Sequence, residues 1–428
     1  MTYEEYLTKK RPYQKYGHLL LLNQKHACLF FRPGKGKTFP CIDAVRDVYR
    51  EKNGQCKVLI MSTADAVRKM WEAEIVPQKV LPPDTTIVTF SKAIQDSTLP
   101  TLLKTKWDII IIDESHKIKA RATKISKLVF NLSKRAEYVW GLSGTPRGNT
   151  DVDIFCQFHN MHIAGMGQLS YTKFIETYCE YDRKYYNGQM IKIPTGIRQE
   201  YQQEWNDMIA EYSIREDYTP EDNMPDLNVN TVRFDYTPTK EYKDALNGVI
   251  QIPDYETTMT KLVAIQKLHQ IANGFEYYVD DNDKKLVHRI NKNVKLDWLV
   301  KQNLTKALVV YRFEEDCERI GERFKAEGIT YTDDITKFKE TDVQVLLLQC
   351  SRCESFNLQS VCKRAIFYTL DYSYIKYNQM MHRIWRMGQT EQVQIDVLIF
   401  RNTIEEKIWR TVQNKEKLAN LFMAIKGE

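Results

Sequence analysis

Short, uninterrupted apolar runs alternate with longer amphipathic stretches over roughly the first 165 residues. The runs are Ala27–Phe31, Val58–Ser62, Thr86–Phe90, Ile109–Asp113 and Tyr138–Ser143. Continuous rather than alternating hydrophobicity is what a strand buried on both faces requires. Between them, Phe39–Glu51 and Ala64–Glu74 place apolar residues at helical spacing. Strand, helix and strand in succession predict a doubly wound α/β lobe built on a parallel sheet.

The pattern changes between about residues 166 and 290. This stretch is rich in Tyr, Asp, Asn, Gln and Glu, and its helical pieces are Tyr171–Tyr181, Gln199–Tyr212, Thr239–Val249 and Tyr255–Asn273. Breaks such as Thr219–Pro225 separate them, which predicts a mainly helical insert with one short strand near Asn230–Phe234. From about residue 291 the α/β pattern returns. Ala307–Tyr311, Val343–Leu348, Ala365–Tyr368 and Gln394–Phe400 read as strands, and Glu314–Glu327, Lys376–Trp385 and Ile404–Met423 as helices. The expected organisation is an α/β lobe over 1–165, a helical insert over 166–290 and a second α/β lobe over 291–428, with no internal repeat.

With 428 residues, 43% hydrophobic and 28% charged, the chain can bury large cores without disulfides or structural metal. Met1 to Pro12 carry no signal-peptide pattern, and runs such as Leu19–Leu22 are too short to span a bilayer. A cytoplasmic protein, or a nuclear one in a host with a nucleus, is expected. The nine cysteines are scattered and odd in number. Cys350 and Cys353 have the CxxC spacing, but only Cys362 lies nearby, so buried reduced thiols are expected rather than zinc. The net charge of +6 permits an anionic partner without demanding one. Between Lys117 and Arg135 there are seven basic residues and no acidic one, among them Lys119, Arg121 and Lys124. They form either a solvated helix face or a surface for nucleic-acid phosphates.

Four motifs carry chemistry. Gly34-Lys35-Gly36-Lys37-Thr38 follows an apolar run and opens a helical stretch. Glycines there let backbone N–H groups turn inward around phosphate, and a helix N-terminus favours the anion. Lys37 would then reach the β- and γ-phosphates of ATP and Thr38 would hold Mg²⁺; the other reading is a glycine-rich turn. Second, Ile109–Ile112 end in Asp113-Glu114-Ser115-His116. Two acids at the carboxyl edge of a parallel sheet stand where ligands bind. Asp113 would hold Mg²⁺ and Glu114 would polarise the attacking water. Third, Ser143-Gly144-Thr145-Pro146 ends another run, where small hydroxyls either relay the state of the acidic pair or simply turn the chain. Fourth, Gln379, His382, Arg383, Arg386, Gly388 and Gln389 lie in the second α/β region. Arg383 and Arg386 are three apart and would share a helix face, as surface arginines or as ligands for the γ-phosphate.

In this order the motifs resemble those of the superfamily-two helicases, and within them the Swi/Snf-type ATPases that translocate on double-stranded DNA. Arg11-Pro12-Tyr13-Gln14 is similar to the family's adenine-contacting segment, which points to Gln14. Asp113–His116 is similar to the nucleotide motif, Ser143–Pro146 to the coupling motif, and Gln379–Gln389 to the arginine-finger motif. Lys267–Asn273 and Thr403–Ile408 match further family segments. Cys353-Glu354-Ser355-Phe356 departs from a usually glycine-rich stretch. The resemblance implies two RecA-like lobes with ATP·Mg²⁺ between them. Gln14, Gly34, Lys35, Gly36, Lys37, Thr38, Asp113 and Gln379 would bind nucleotide, with Glu114, Arg383 and Arg386 catalytic and His116, Ser143 and Thr145 coupling. It implies duplex DNA as partner. A strand-separating helicase acting on single-stranded DNA or RNA, and an ATP-gated module recruiting a nuclease or replication factor, stay open.

Overall fold

Each apolar run of the first region is a strand in the computed structural model, which describes residues 2–120, 122–147, 151–186, 189–217, 224–251, 258–279, 285–290, 294–352 and 356–414. β1 spans His26–Phe31, β2 Val58–Ser62, β3 Thr85–Thr89, β4 Ile109–Asp113 and β5 Tyr138–Leu142. Every residue of β2, β4 and β5 is buried, as continuous hydrophobicity demands. β6 (Cys179–Tyr186) and β7 (Gln189–Ile197) pair with each other, and β8 is Ser213–Glu216. The chain divides into two compact units, residues 1–185 with 189–221 and residues 186–188 with 222–428.

The first unit is a six-stranded parallel sheet of order β3-β2-β4-β5-β1-β8. Alternation along the strands sends side chains to two cores. Phe30, Met61, Ile110, Ile112 and Val139 pack with helices Lys124–Ser133 and Val152–Asn160 on one face. Leu29, Ile60, Ile111 and Trp140 pack with helix Thr38–Glu51 on the other. That helix buries every residue from Thr38 to Val45, and then Val48, so its first two turns are enclosed on all sides.

The second unit repeats the plan. β9 is Leu227–Phe234, β10 Phe275–Val279, β11 Lys285–Arg289, β12 Ala307–Tyr311, β13 Tyr331–Thr332, β14 Val345–Gln349, β15 Arg364–Phe367 and β16 Val393–Phe400. Its parallel sheet runs β13-β14-β12-β15-β16-β9, and β10 and β11 form an antiparallel pair apart from it. The fold class is therefore α/β with two doubly wound parallel sheets.

Residues 166–290 hold the expected helices, Tyr171–Tyr178, Gln202–Tyr212, Lys240–Gln251 and Thr258–Ala272. Where one short strand was expected, the described residues hold six, β6 to β11, of which β8 and β9 are edge strands of the two parallel sheets, and they are shared between the two units. Two helices end differently from the pattern. Ala64–Glu74 is a short α-turn, Ala64–Ala66, continued as a π-helix over Val67–Ile75. The helix expected over Lys376–Trp385 spans Tyr374–Met381. Nε of Arg383 donates to the Gln379 carbonyl at 3.1 Å, so a side chain takes a last-turn acceptor that a further helical turn would have used. The terminal helix is described over Ile404–Gln413; the rest of the expected span lies outside the described residues. Among the described residues no helix is long and apolar enough to cross a membrane.

Candidate nucleotide-binding site

Strand order brings three motifs together. β4, β5 and β1 are neighbours, so the segments leaving their carboxyl ends, Asp113–His116, Ser143–Pro146 and Arg32–Lys37, lie side by side. Gly34 and Gly36 have φ of 88° and 72°, the left-handed region that glycine adopts without strain. A Cβ on Gly36 would also stand 2.8 Å from Nε2 of Gln14. Lys37 is the N-cap of helix Thr38–Glu51, and among the described residues no side chain caps that end. An uncapped helix start behind a glycine loop presents N–H groups and a positive dipole end to an anion.

The ammonium of Lys37 lies 3.5 Å from Oε1 of Glu114 and 4.0 Å from Oδ1 of Asp113. Asp113 is 2% exposed. Its Oδ2 accepts the Ser62 hydroxyl at 2.9 Å and the Trp71 indole N–H at 3.2 Å, and its Oδ1 accepts the Glu114 N–H at 3.1 Å. Burial raises this carboxyl above the usual carboxylate range; Lys37 and the hydrogen bonds from Ser62 and Trp71 oppose the rise, and Glu114 adds to it. Glu114 itself has φ 58° and ψ 52°. A non-glycine residue in the left-handed region stores strain that the surrounding structure must impose, and such residues gather at functional sites.

From Glu114 a polar chain runs to the β5 segment. Nδ1 of His116 is 3.3 Å from Oε2 of Glu114 and 3.2 Å from Oγ of Ser143. That hydroxyl oxygen accepts the Thr145 N–H at 3.1 Å. Nε2 of His116 and Oγ1 of Thr145 are buried and without hydrogen-bond partners among the described residues. Orphaned polar atoms beside a cationic loop are what a site awaiting a polar ligand leaves. Asp113 and the Thr38 hydroxyl offer the hard oxygen donors that suit Mg²⁺ alongside phosphate oxygens. Thr38 Oγ1 lies 3.7 Å from Sδ of Met70, a weak acceptor that a cation would replace.

Other residues predicted from sequence fall in different places. Gln14 is buried; its Oε1 accepts the Arg11 N–H at 3.0 Å and its Nε2 donates to the Lys35 carbonyl at 3.1 Å, so it braces the loop. Lys35 turns its ammonium toward Glu216 and the Tyr13 ring. Lys119 pairs with Asp153 at 3.4 Å, and Lys124 is exposed at the start of its helix. Arg121 lies outside the described residues. Exposed Lys117, Lys127, Lys134 and Arg135 complete the basic stretch. In the second unit Arg383 and Arg386 lie beyond the helix rather than on one face of it. Arg383 is buried, with Nη1 donating to the Phe356 carbonyl at 3.0 Å; Arg386 donates to Oδ1 of Asn357; Gln379 is buried in the helix. Cys350 and Cys362 are buried, and burial pushes each thiol up to about 12. Cys353 lies outside the described residues, and among them no cluster of metal ligands occurs.

No pattern in the sequence marks Ser62, Trp71 or Gln157. Gln157 is fully buried and bridges two motifs: Oε1 accepts the Ser115 hydroxyl at 2.8 Å and Nε2 donates to the Pro146 carbonyl at 2.7 Å. A glutamine within a helical pattern carries no sign of such a role.

Residues 76–184 match the SNF2-related domain, a stretch that includes Asp113–His116 and Ser143–Pro146. The chain is similar to the Drosophila melanogaster SWI/SNF-related matrix-associated actin-dependent regulator of chromatin subfamily A-like protein 1. The two are 23% identical over 95% of this chain and 55% of that protein. The Bacillus subtilis putative ATP-dependent helicase/translocase YwqA is 22% identical over 95% of the chain and 48% of its own length. The chain thus spans about half the length of these curated relatives. The solved Sulfolobus solfataricus SWI2/SNF2 ATPase core in complex with dsDNA aligns over 97% of this chain and 93% of its own, at 21% identity and a TM-score of 0.42. Residues 76–184 thus carry an SNF2-related domain, and over nearly its whole length the chain is similar to Snf2-type members of the helicase superfamily.

Proposed function

We propose that the chain is an ATP-driven motor that tracks along double-stranded DNA and binds ATP with Mg²⁺ at Gly34–Thr38. The observation that carries the reading is the convergence of Lys37, Asp113 and Glu114 at the carboxyl ends of adjacent strands, with Glu114 held in a strained backbone conformation. Lys37 and the loop amides neutralise phosphate charge. Thr38 and Asp113 would hold Mg²⁺, which when bound neutralises charge developing on the phosphates. Glu114 accepts the proton of the attacking water, and the His116–Ser143–Thr145 chain transmits its state. Arg383 and Arg386, with Gln379, serve hydrolysis from the second unit.

The names of the relatives support a nucleic-acid motor, and one of them, from Mus musculus, is called a DNA annealing helicase and endonuclease. The exposed basic residues from Lys117 to Arg135 suit phosphate contacts, which carry no sequence information and fit movement along a backbone. ATP turnover measured separately with duplex DNA, single-stranded DNA and RNA, beside a strand-displacement assay, tests the reading. Duplex stimulation without strand separation is expected. Stimulation by single strands with displacement would replace tracking by unwinding, and no turnover with any nucleic acid would overturn the motor.

A further inference from the structure

Two lysines of the glycine loop go to different carboxylates. Lys37 faces Asp113 and Glu114, whereas Lys35 is 1% exposed with its ammonium 3.3 Å from Oε1 of Glu216 and 5.0 Å from the Tyr13 ring centroid. A lysine is almost never buried to this extent without a partner. The loop conformation that buries Lys35 therefore depends on Glu216.

Glu216 ends β8, and the last rung of the β1–β8 ladder is Phe31 opposite Glu216, immediately before the loop. The Arg32 N–H donates to the Glu216 carbonyl at 3.0 Å, and the Arg32 guanidinium pairs with Asp217. From the other side, the Tyr13 hydroxyl and Nε2 of Gln14 both donate to the Lys35 carbonyl at 3.1 Å. Lys35 is thus held at its backbone by helix Pro12–Gln24 and at its ammonium by β8. Held this way, it leaves the phosphates to Lys37 and the loop amides.

We infer that Lys35 and Glu216 form a positioning pair that sets the shape of the phosphate loop and links nucleotide occupancy to strand β8. The nucleotide half of this inference rests on the proposed function. By linkage, if ordering of β8 strengthens nucleotide binding by some factor, bound nucleotide favours the ordered β8 by the same factor.

The test uses the full chain, with hydrogen exchange of residues 32–37 and 213–217 and binding of a fluorescent ATP analogue. Without nucleotide, Glu216→Gln should speed exchange over 32–37 by roughly 3–10-fold, and it should weaken the analogue by a similar factor. Glu216→Asp keeps the charge and should fall between the wild type and Glu216→Gln. Adding Lys35→Met to Glu216→Gln should recover part of the loss, because no ammonium is then left buried beside a neutral amide. The analogue should protect 213–217 in the wild type and not in Glu216→Gln. Wild-type exchange over 32–37 in Glu216→Gln, or a double variant equal to the sum of its singles, overturns the pair. An analogue that binds Lys37→Ala as tightly as the wild type overturns the nucleotide reading instead, and the nucleotide-free exchange still decides whether the pair shapes the loop.

Discussion

The ammonium of Lys295 stands 2.6 Å from Oε1 of Glu405, 110 residues further along the chain, and both side chains are buried. Lys295 also donates to Oδ1 of Asn273 at 3.0 Å and to the Tyr368 carbonyl at 3.1 Å. Oε1 of Glu405 accepts Nδ2 of Asn273 at 2.8 Å and lies 3.3 Å from Nε2 of His269, while Oε2 accepts the Phe400 N–H at 2.8 Å. Two segments noted in the sequence only for their resemblance, Lys267–Asn273 and Thr403–Ile408, thus meet in one ion network that pins the terminal helix to the second unit.

Breaking this pair from one side leaves a buried charge without its counter-ion. Lys295→Met should cost the second unit about 3–5 kcal/mol, and Lys295→Met with Glu405→Gln clearly less. Urea unfolding of the wild type, both single variants and the double variant checks it; a double variant as unstable as the sum of the singles would make the pair a bystander.

The same pair sets an acid limit. Burial acts to raise the Glu405 carboxyl, but Lys295 and His269 outweigh it and hold it at about 2, against an ordinary 4.5. A carboxyl depressed in the fold stabilises it above pH 4.5 and loses that contribution as pH falls towards 2. Asp316 runs the other way: burial raises it from 3.8 to about 6, so its protonation favours the fold as pH falls through that interval. Stability should therefore drop mainly below pH 4.5, and Glu405→Gln should flatten the drop. Parallel stability–pH curves for the two proteins would assign the acid limit elsewhere.

At the loop, Lys37→Ala should lose tight ATP binding, since the phosphates lose their cation. Glu114→Gln should bind ATP and turn it over very slowly, because an amide keeps the shape but accepts no proton. Equilibrium binding and single-turnover hydrolysis separate the two. Normal affinity in the first variant, or near wild-type turnover in the second, removes the corresponding residue from its role.

The basic stretch offers a salt-dependent readout. Lys119 is engaged by Asp153, so the exposed Lys124, Lys127 and Lys134 are the better set to neutralise. Replacing all three with Gln should weaken duplex binding and lower the log–log salt slope by about 0.9 for each phosphate that is no longer neutralised. An unchanged slope makes the stretch a solvated face.

Arg386→Ala asks whether the second unit takes part in hydrolysis. An arginine that meets charge growing on the γ-phosphate contributes roughly 10³–10⁵ in turnover. The variant should lose duplex-stimulated hydrolysis by orders of magnitude and ATP affinity much less, and Arg386→Lys should restore little, because a point charge does not reproduce the planar fork. Turnover within a few-fold of wild type would move the role to Arg383 or out of the second unit.

Apolar runs and turn chemistry determined a good deal without any coordinates. Val58–Ser62 and Ile109–Asp113 are strands over the very residues the pattern marks, because a strand covered on both faces must be apolar throughout. Gly34 and Gly36 announced a loop only glycine forms easily, and Asp113-Glu114 at the end of a buried run announced a sheet edge that binds ligands. Neighbourhood was another matter. That β4, β5 and β1 adjoin, so that Lys37 meets Glu114 and His116 meets Ser143, is a property of strand order, which no local pattern encodes. The edge strand β8 was hidden for the same reason, and β9, legible as a strand near Asn230–Phe234, showed nothing of the sheet it joins, since their pairing partners lie far along the chain. Ser62, Trp71 and Gln157 acquire their roles only from the partner that packing sets opposite them, and Lys35 was destined for Glu216 by a strand 181 residues away. Periodicity reports which face of an element is buried; which polar group waits on the other side is decided when the elements pack.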